Sequence, residues 1–505
     1  MIEQLRLLPE YLSAHLNLTL TSLSLGILIS VPLGILAARF KPVERIALGI
    51  AQIIQTIPSL ALLAAMVPLL ALLGAHSIGY LPAFIALVLY SILPILRNTV
   101  VGLRAVDPAF IEAAKGVGMT RAQRLFRVEL PLATPMIIAG IRTSTTLTVG
   151  TATLSTPVGA TSLGNYIFVG LQTQNIASIT IGCIAAAVLA VGLDTLVRVL
   201  AYGLEREKKS WVAGAFALFA LLFSYVVYDA VKEYWPSKNQ QIVIGAKAIT
   251  EQYILSEILK QKIENQDDCK VKIRQSLSSL TAYEALKANE IDVFVEYSAT
   301  LWNHTMQMKE HPLDSVYLYQ KIEKFLNKDG VELVGKIGFK NNYAFAIKRE
   351  LAKKLGIENL SDLAQHSNLI LAGDYEFFGR PEWQLFKESY KIRFSKKIIM
   401  DHALVYQAAD KGNVDVIVVF TTDGHIDAHD MLVLEDDKNA SLSFDAMILT
   451  SKKFGQQLSK LNQVLKNLVG TIDEKQIRDL NFKVDGEGQD PAAVARIFNE
   501  EKNSL

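Results

Sequence analysis

The chain has 505 residues, half of them apolar, and a formal net charge of +1. Its length excludes a single small domain, and its two cysteines, Cys183 and Cys269, exclude a disulfide framework within either half because each half has only one. Near-neutrality conceals an asymmetry. Residues 1–210 contain 15 Lys and Arg against 9 Asp and Glu, a charge of +6, and residues 211–505 contain 36 against 41, a charge of −5. The two parts are therefore expected to have different surroundings.

The first part contains six apolar runs in succession, each near the roughly 20 residues that a bilayer core requires. This succession favours a bundle of membrane-spanning helices over a soluble domain of buried helices. The runs are Leu16–Ala38, Ile46–Gly74, Tyr80–Gly102, Leu130–Val158, Ile176–Leu200 and Trp211–Val231.

Lys and Arg cluster in alternate connections between these runs, whereas Ala75–Gly79 and Gly159–Asn175 contain neither. By the positive-inside rule the cationic connections are cytoplasmic, so the chain after Val231 is predicted to be extracytoplasmic. The sixth run would also suit a signal peptide. Its A-x-A cleavage pattern is incomplete at Tyr228–Ala230, and we therefore predict an uncleaved anchor.

Arg142 and Asp194 are the ionisable residues well inside the apolar runs. Because burial of an isolated charge is costly, both are expected to face the bundle interior or to lie near an interface, and Arg142 would equally suit a snorkelling side chain. The run Thr143–Thr156 is rich in Ser, Thr and Gly. This composition favours close helix packing, with the polar lining of a path as the alternative.

A polar, basic stretch, Glu112–Pro131, separates two of the apolar runs. It follows Asp107-Pro108, which suits a helix start, and it re-enters the membrane at Leu130-Pro131. The spacing of E-A-A, glycine and Leu-Pro resembles the cytoplasmic loop of ABC importer permeases; the alternative is an ordinary cytosolic loop rich in Lys and Arg. The resemblance implies docking into a separate ATPase subunit through Glu112, Ala113, Ala114, Gly116 and Gly118.

Longer strings in the membrane part point to one branch of these importers. They are Ile54–Ser59, Leu93–Thr99, Ala139–Thr143 and Gly150–Thr153. These strings resemble the permeases of the osmoprotectant importer family, whose solutes are glycine betaine, carnitine and choline.

From Gln241 onward, short β-type runs alternate with amphipathic helical ones. Strands separated by helices predict parallel sheets covered on both faces, and about 265 residues exceed one comfortable α/β domain, so two lobes with a cleft are expected. The predicted strands are Ile242–Gly245, Val271–Arg274, Ile291–Tyr297, Leu369–Ala372, Lys397–Met400 and Val414–Phe420, and the predicted helices include Glu251–Ile263 and Tyr283–Ala288.

Aromatic, hydroxyl and amide residues recur where these strands end. Aromatic faces attract a quaternary ammonium without hydrogen bonds, and an Arg can hold a carboxylate. Any single aromatic is more often part of a core, so only the recurring set favours a site. Thr250–Gln252, Glu296-Tyr297, Asn341–Tyr343 and Thr422–Gly424 resemble the binding domain of the same family. Pattern and resemblance together predict ligand contacts at Gln252, Tyr297, Thr300, Trp302, Asn342, Tyr343, Arg380, Thr421 and Thr422.

The solute itself stays open. Ser298-Ala299 replaces a glycine of the family pattern, and Ser443–Asp445 replaces a Pro-Pro-Tyr-like stretch, which removes one possible cage hydroxyl. Thr250–Leu255 and Thr300–Asn303 look closer to the ergothioneine-importing relatives, whose ligand is a trimethylated histidine betaine. Glycine betaine, choline, carnitine and ergothioneine therefore remain the candidates.

Two motifs are predicted to be decoys. Gly330–Lys336 resembles a phosphate-binding loop, but Ile337 stands where a hydroxyl must hold Mg²⁺, so the ATPase is expected to be a separate polypeptide. His425 and His429 have a metal-like spacing without a third ligand, which favours a solvated turn. No catalytic group, metal or cofactor is predicted, and the basic loops are too short for nucleic-acid binding.

We therefore predict a multi-domain fold. An α-helical type I ABC importer permease occupies residues 1–205, a sixth span and linker occupy 206–239, and an α/β two-lobed periplasmic-binding-protein-like domain occupies 240–505. The predicted protein is a non-enzymatic importer subunit for betaine-type solutes that homodimerises in the bacterial inner membrane. The alternatives are a membrane-tethered solute sensor and an importer of another zwitterion, such as an amino acid.

Overall fold

The computed structural model describes residues 5, 7–173, 175–206, 208–234, 241–266, 269–308, 315–438, 440, 443–457 and 459–503. The chain forms two compact units, the first from residues 1–167 and 177–236 and the second from residues 168–176 and 237–505. Part of the predicted linker, residues 235–239, lies outside the described residues.

The N-terminal part of the chain is helical. Its helices are α1 (Leu8–Arg39), α2 (Lys41–Thr56), α3 (Ser59–Leu72), α4 (Tyr80–Arg104), α5 (Pro108–Gly116), α6 (Arg121–Arg124), α7 (Leu130–Ala152), α8 (Gly164–Gln172), α9 (Ile176–Glu205) and α10 (Lys209–Tyr234). A π-helical turn at Leu125–Glu129 precedes α7, and a 3₁₀ helix at Thr153–Val158 follows it.

Helices cover all six predicted apolar runs, but one run is not straight. In the described part of the chain, α1, α4 and α9 are each long and apolar enough to cross a membrane, and the pair α2 and α3, bent by 100°, would make a fourth span. The bend replaces the straight span expected over Ile46–Gly74. Pro58 cannot donate a backbone hydrogen bond and forces Ile57 into an extended conformation. A count of six spans stays a prediction.

Arg142 and Asp194, the two charges predicted inside apolar runs, bind each other. Arg142 Nε lies 2.8 Å from Asp194 Oδ1, and Arg142 Nη2 lies 3.0 Å from Asp194 Oδ2. The pair joins α7 to α9, so neither charge is isolated.

The second unit contains two five-stranded sheets. The strands are β1 (Gln241–Lys247), β2 (Lys270–Leu277), β3 (Val293–Tyr297), β4 (Val331–Lys340), β5 (Tyr343–Lys348), β6 (Ile370–Gly373), β7 (Lys396–Ile399), β8 (Val416–Phe420), β9 (Met431–Val433) and β10 (Asp445–Ser451). The helices are α11 (Thr250–Glu264), α12 (Ser279–Lys287), α13 (Ser298–Thr300), α14 (Ser315–Asp329), α15 (Arg349–Leu355), α16 (Tyr375–Gly379), α17 (Pro381–Tyr390), α18 (His402–Asp410), α19 (His425–Ala428), α20 (Lys452–Gln457), α21 (Ser459–Lys466), α22 (Glu474–Asp485) and α23 (Pro491–Asn503). A π-helical turn, Leu301–Thr305, follows α13, and a 3₁₀ helix, Leu360–Gln365, follows α15.

The strand orders are β2-β1-β3-β10-β4 in the first lobe and β7-β6-β8-β5-β9 in the second. The parallel pairing expected from the sequence holds for β1 with β2 and β3 and for β6 with β7 and β8, but β10 and β5 run antiparallel to their neighbours. The reason is that the chain crosses between lobes twice, from β4 to β5 and from β9 to β10. A strand that starts at the crossing must run opposite to strands that end there.

Close helix contact in the first unit depends on glycines, among them Gly140 of α7. A Cβ at Gly140 would lie 2.8 Å from Pro94 O and 3.2 Å from Ile95 Cα of α4. Gly150 lies on the same helix, and a Cβ there would meet nothing within 4 Å. The α4–α7 interface therefore accommodates no side chain at position 140.

Gly140→Ala is expected to destabilise the helical unit by about 1–3 kcal/mol, because the backbone of α4 must move to admit the methyl group. Gly150→Ala is the matched control and should be neutral or slightly stabilising. Thermal unfolding of the full chain in detergent measures both variants. Equal melting temperatures for the two variants would contradict the assigned contact.

Candidate functional site

A buried carboxylate, Glu251 in the first turn of α11, collects hydrogen bonds from four parts of the second unit. It is 3% exposed. The Tyr297 hydroxyl donates to its Oε1, Asn341 Nδ2 lies 3.0 Å from the same oxygen, and Thr422 Oγ1 and Asn481 Nδ2 lie 2.5 and 3.4 Å from Oε2. These donors come from the end of β3, the first crossing, the loop after β8 and α22. Glu251 therefore bridges the two lobes.

The electrostatics of Glu251 reflect this setting. Burial raises the pKa of the Glu251 carboxyl, and the four donors oppose part of that rise because they favour the charged form. Burial and the adjacent Glu251 charge raise the pKa of the Tyr297 hydroxyl well above its usual value. Tyr297 thus stays protonated and remains a donor.

Three of the predicted binding residues meet at Glu251. Gln252 Nε2 lies 3.2 Å from the Tyr297 hydroxyl and 3.1 Å from Val295 O, and Thr422 donates directly to Glu251. Their spacing of up to 170 residues in the chain gives no sequence signal for this contact, because it forms only when the lobes meet. The polar groups of Gln252, Tyr297 and Thr422 are thus largely engaged in hydrogen bonds within this cluster.

Tyr343 and Arg380 form a second group of predicted residues, within an aromatic cluster at the start of β5. The Tyr343 ring centroid lies 4.9 Å from that of Phe377, 4.8 Å from that of Phe420 and 5.4 Å from that of Phe444. Arg380 Cζ lies 5.6 Å from the same centroid. Tyr343 therefore packs against three rings and one guanidinium.

Arg380 is only partly satisfied. It is 7% exposed and pairs through Nη2 with Glu376. Its Nε and Nη1 have no hydrogen-bond partner among the described residues. A buried guanidinium with two donors unused is suited to a carboxylate.

Lys247, at the end of β1, supplies a second cation that the sequence patterns did not indicate. Its Nζ lies 4.3 Å from the Tyr297 ring centroid and 2.6 Å from Glu296 Oε1. Burial alone would raise the pKa of Glu376, but the charges of Arg380 and Lys247 outweigh it and lower that pKa. Lys247 of the first lobe and Arg380 of the second lobe thus act on the same carboxylate, that of Glu376.

The remaining predicted residues lie at the crossing or in the core. Asn342 N donates to Thr421 Oγ1 at 3.1 Å, and Phe444 N donates to Asn342 Oδ1 at 2.9 Å. Thr300 is 2% exposed, and Trp302 is fully buried, with its ring centroid 6.4 Å from that of Tyr317. The structure does not bring Trp302 into ring contact with Tyr297 or Tyr343.

A charged histidine lies behind the aromatic cluster. His402 Nε2 lies 3.0 Å from Asp423 Oδ2, which also accepts from the Tyr406 hydroxyl at 2.8 Å, and the His402 ring centroid lies 5.0 Å from that of Phe420. Burial alone would lower the pKa of His402, but Asp423 raises it to about 9. The pair is therefore ionic at neutral pH.

The two histidines with metal-like spacing each lie near a carboxylate, and the two carboxylates are different. His429 Nδ1 lies 2.6 Å from Asp410 Oδ2, and His425 Nε2 lies 3.6 Å from Asp485 Oδ1. Within the described residues, no group of three His, Cys, Asp or Glu side chains could hold a metal ion.

The loop predicted to couple to an ATPase has a defined shape. Asp107 Oδ1 caps α5 by accepting from Ala109 N at 2.8 Å, Gly118 has a φ of +81° at the turn, and Thr120 and Gln123 form a capping box. Glu112, Ala113, Gly116 and Gly118 are exposed and Ala114 is buried. Phe110, Val117 and Phe126 are also exposed, by 54, 75 and 67%.

Ion pairs hold both ends of this loop. Arg104, before it, binds Glu44 through Nη1 and Nη2 at 2.6 and 2.5 Å. Glu129, after it, binds Arg124 at 2.7 Å and Arg39 at 3.4 Å. Because Arg39 and Glu44 flank the junction of α1 and α2, both ends of the loop are tied to one corner of the bundle.

Two families match the chain. Residues 30–210 match the family described as the inner membrane component of binding-protein-dependent transport systems, and residues 240–501 match the substrate binding domain of ABC-type glycine betaine transport systems.

Relatives match either the whole chain or one part of it. The chain is 30% identical over 498 residues to an ergothioneine transport permease/ergothioneine binding protein of Helicobacter pylori (strain G27), covering 94% of this chain and 87% of that one. It is 45% identical over 185 residues to a choline transport system permease protein of Bacillus subtilis (strain 168), covering 37 and 82%. It is 28% identical over 277 residues to a carnitine transport binding protein of Listeria monocytogenes serotype 1/2a (strain 10403S), covering 53 and 88%.

Stability of the second unit is expected to fall above neutral pH because of His402. Its pKa is about 9 when folded, against about 6.5 in an unfolded chain. The raised folded value means that its contribution is fully present below pH ~6.5 and is lost as pH rises through about 9. Melting temperatures of the full chain between pH 6 and 10 measure the effect.

His402→Gln should remove this component of the alkaline decline, whereas His366→Gln, at a partly buried histidine that follows the 3₁₀ helix Leu360–Gln365, should retain it. An unchanged pH dependence in His402→Gln would show that the ion pair with Asp423 is not its source.

Proposed function

The chain belongs to the osmoprotectant-type ABC importer family as a fused permease and substrate-binding protein, and from this premise we propose that its second unit captures a betaine-type quaternary ammonium solute outside the cell. The permease part then passes the solute inward, driven by a separate ATPase. The observation that carries the choice of solute class is Arg380, a buried guanidinium beside an aromatic cluster, with Nε and Nη1 unused. A zwitterion supplies the missing carboxylate.

The chemistry of a betaine fits the cleft at both of its ends. A carboxylate would pair with Arg380, since charge-assisted hydrogen bonds are stronger than neutral ones. The positive charge of Lys247 would attract the same carboxylate. A trimethylammonium group cannot donate hydrogen bonds and is attracted to ring faces, which Tyr297, Tyr343, Phe420 and Phe444 supply. The predicted residues Gln252, Thr300, Asn342, Thr421 and Thr422 then hold the tyrosines and the crossing segments in place. Trp302 supports the first lobe from its core.

The names of the relatives support a solute of the ergothioneine, choline and carnitine set. The relative that aligns with nearly the whole chain is named for ergothioneine, and those that align with one part are named for choline and carnitine. We propose that this chain takes a zwitterion of that set, with ergothioneine first because the same fusion of permease and binding protein occurs in that relative.

Coupling to ATP is assigned to the loop from Glu112 to Gly118. The exposed apolar side chains in and beside it, Phe110, Val117 and Phe126, support docking of a cytoplasmic ATPase subunit, and the lysines and arginines around it support a cytoplasmic position. Two permease parts and two ATPase subunits make one importer, so the chain is expected to act as a homodimer in the inner membrane, with multiple spans and the second unit outside.

Tyr297→Ala and Tyr343→Ala are expected to weaken solute binding more than tenfold, on the order of the ~2 kcal/mol of a desolvated cation–π contact. Calorimetric titration of the full chain in detergent with ergothioneine, glycine betaine, choline and carnitine measures the loss. Tyr375→Ala, at a tyrosine that is 77% exposed, should bind as the wild type does. Wild-type affinity in both cleft variants would refute the assigned cage.

Glu112→Arg or Gly118→Asp is expected to abolish uptake in proteoliposomes that contain the ATPase subunit, while solute binding stays normal, because only the docking surface is altered. Gly74→Asp is the matched control, since Gly74 also has a positive φ, of +64°, and open space around a Cβ. Retained uptake in the loop variants would remove the coupling role from this segment.

A further inference from the structure

Two carboxylates in the cleft region pair with a cation, but Glu382 does not pair with one among the described residues. Lys247 pairs with Glu296, and Arg380 pairs with Glu376. Glu382, the second residue of α17, is 0% exposed and contacts no Lys or Arg within ion-pair distance in the described part of the chain. A buried carboxylate without a cation needs hydrogen-bond donors to replace its lost water.

Glu382 receives one such donor from the opposite lobe. Asn303 Nδ2, in the π-helical turn after β3, donates to Glu382 Oε1 at 2.7 Å. Glu382 Oε2 and Asn303 Oδ1 have no partner among the described residues, and Asn303 is 8% exposed. On each side of this hydrogen bond, one acceptor atom is therefore buried without a donor from the described residues.

Arg380 connects this pair of acceptors to the solute site. It precedes Glu382 by two residues at the start of α17, and its Cζ lies 5.6 Å from the Tyr343 ring centroid. Arg380 has unused donors, whereas Glu382 and Asn303 have unused acceptors. A solute that pairs with all of these groups must offer a hydrogen-bond acceptor to Arg380 at one end and hydrogen-bond donors to Glu382 and Asn303 at the other.

A trimethylammonium group has no N–H and cannot satisfy either acceptor. Glycine betaine and choline therefore leave Glu382 Oε2 and Asn303 Oδ1 unpaired, which is costly in a buried site. A betaine that carries an imidazole-type ring brings N–H groups that can donate to both. Sites built to hydrogen-bond a substrate group discriminate strongly against analogues that lack it.

We propose that Glu382, with Asn303 opposite it, accepts a hydrogen bond from a ring N–H of the bound solute and thereby selects an N–H-bearing betaine over glycine betaine. This inference rests on the proposed function and names the specificity residue of the same site.

The test compares Glu382→Gln with wild type in the full chain. Asn303 Nδ2 donates to the glutamine oxygen, so the amide nitrogen takes the place of Oε2. That nitrogen is a hydrogen-bond donor and cannot accept from a ring N–H. Affinity for ergothioneine should fall at least tenfold, and affinity for glycine betaine should stay within about twofold. Glu388→Gln, on the exposed side of α17, should change neither.

A second measurement uses wild-type protein alone, so it does not depend on folding of the variant. Ergothioneine methylated on its ring nitrogens should bind at least tenfold more weakly than ergothioneine. Equal binding of the two compounds, or equal loss of both solutes in Glu382→Gln, would overturn the role of Glu382. Failure of wild type to bind ergothioneine, glycine betaine, choline and carnitine would instead refute the proposed function.

Discussion

The hydrogen bonds to one buried carboxylate decide how the second unit closes. Glu251 lies in the first lobe, and Tyr297, Asn341, Thr422 and Asn481 reach it from β3, the first crossing, the second lobe and α22. A buried charge with missing donors is expensive, so all four must be in place together. In this lobe arrangement all four donors reach the same carboxylate. The geometry of the cleft around Tyr297 follows from this constraint.

Two aromatic faces of the candidate site are each covered by a cation of the chain. Lys247 lies over Tyr297 and Arg380 lies over Tyr343. A simple cation would compete with both for the same rings. A zwitterion compensates for that competition because its carboxylate gives Arg380 a partner. Under the proposed function, this arrangement would favour betaines over cations without a carboxylate, and Glu382 would add a preference for a solute with N–H donors.

In the permease part, ion pairs tie a short loop to long helices. The loop from α5 to the π-helical turn is tied at both ends to the junction of α1 and α2 through Arg39 and Glu44. Partly exposed ion pairs contribute little stability individually, but these are placed at a corner where α1 ends and α2 begins. A movement of the docked loop would then reach α1 and α2 as well as α4 and α7, the helices on either side of it.

Element type was readable from the sequence because hydrophobic period and turn residues are local properties. The apolar runs, the six predicted strands and the loop around Glu112 all appear at their predicted places. Four features required the tertiary structure: the bend at Pro58, the antiparallel β5 and β10, the pairing of Arg142 with Asp194, and the donors around Glu251. Each depends on residues distant in the chain or on where the chain crosses between lobes. Local patterns indicated Tyr297, Tyr343 and Arg380 as candidate site residues. Lys247, Glu251 and Glu382 became candidates only when burial and pairing were known, since a charged residue has the same sequence signal on a surface and in a cleft.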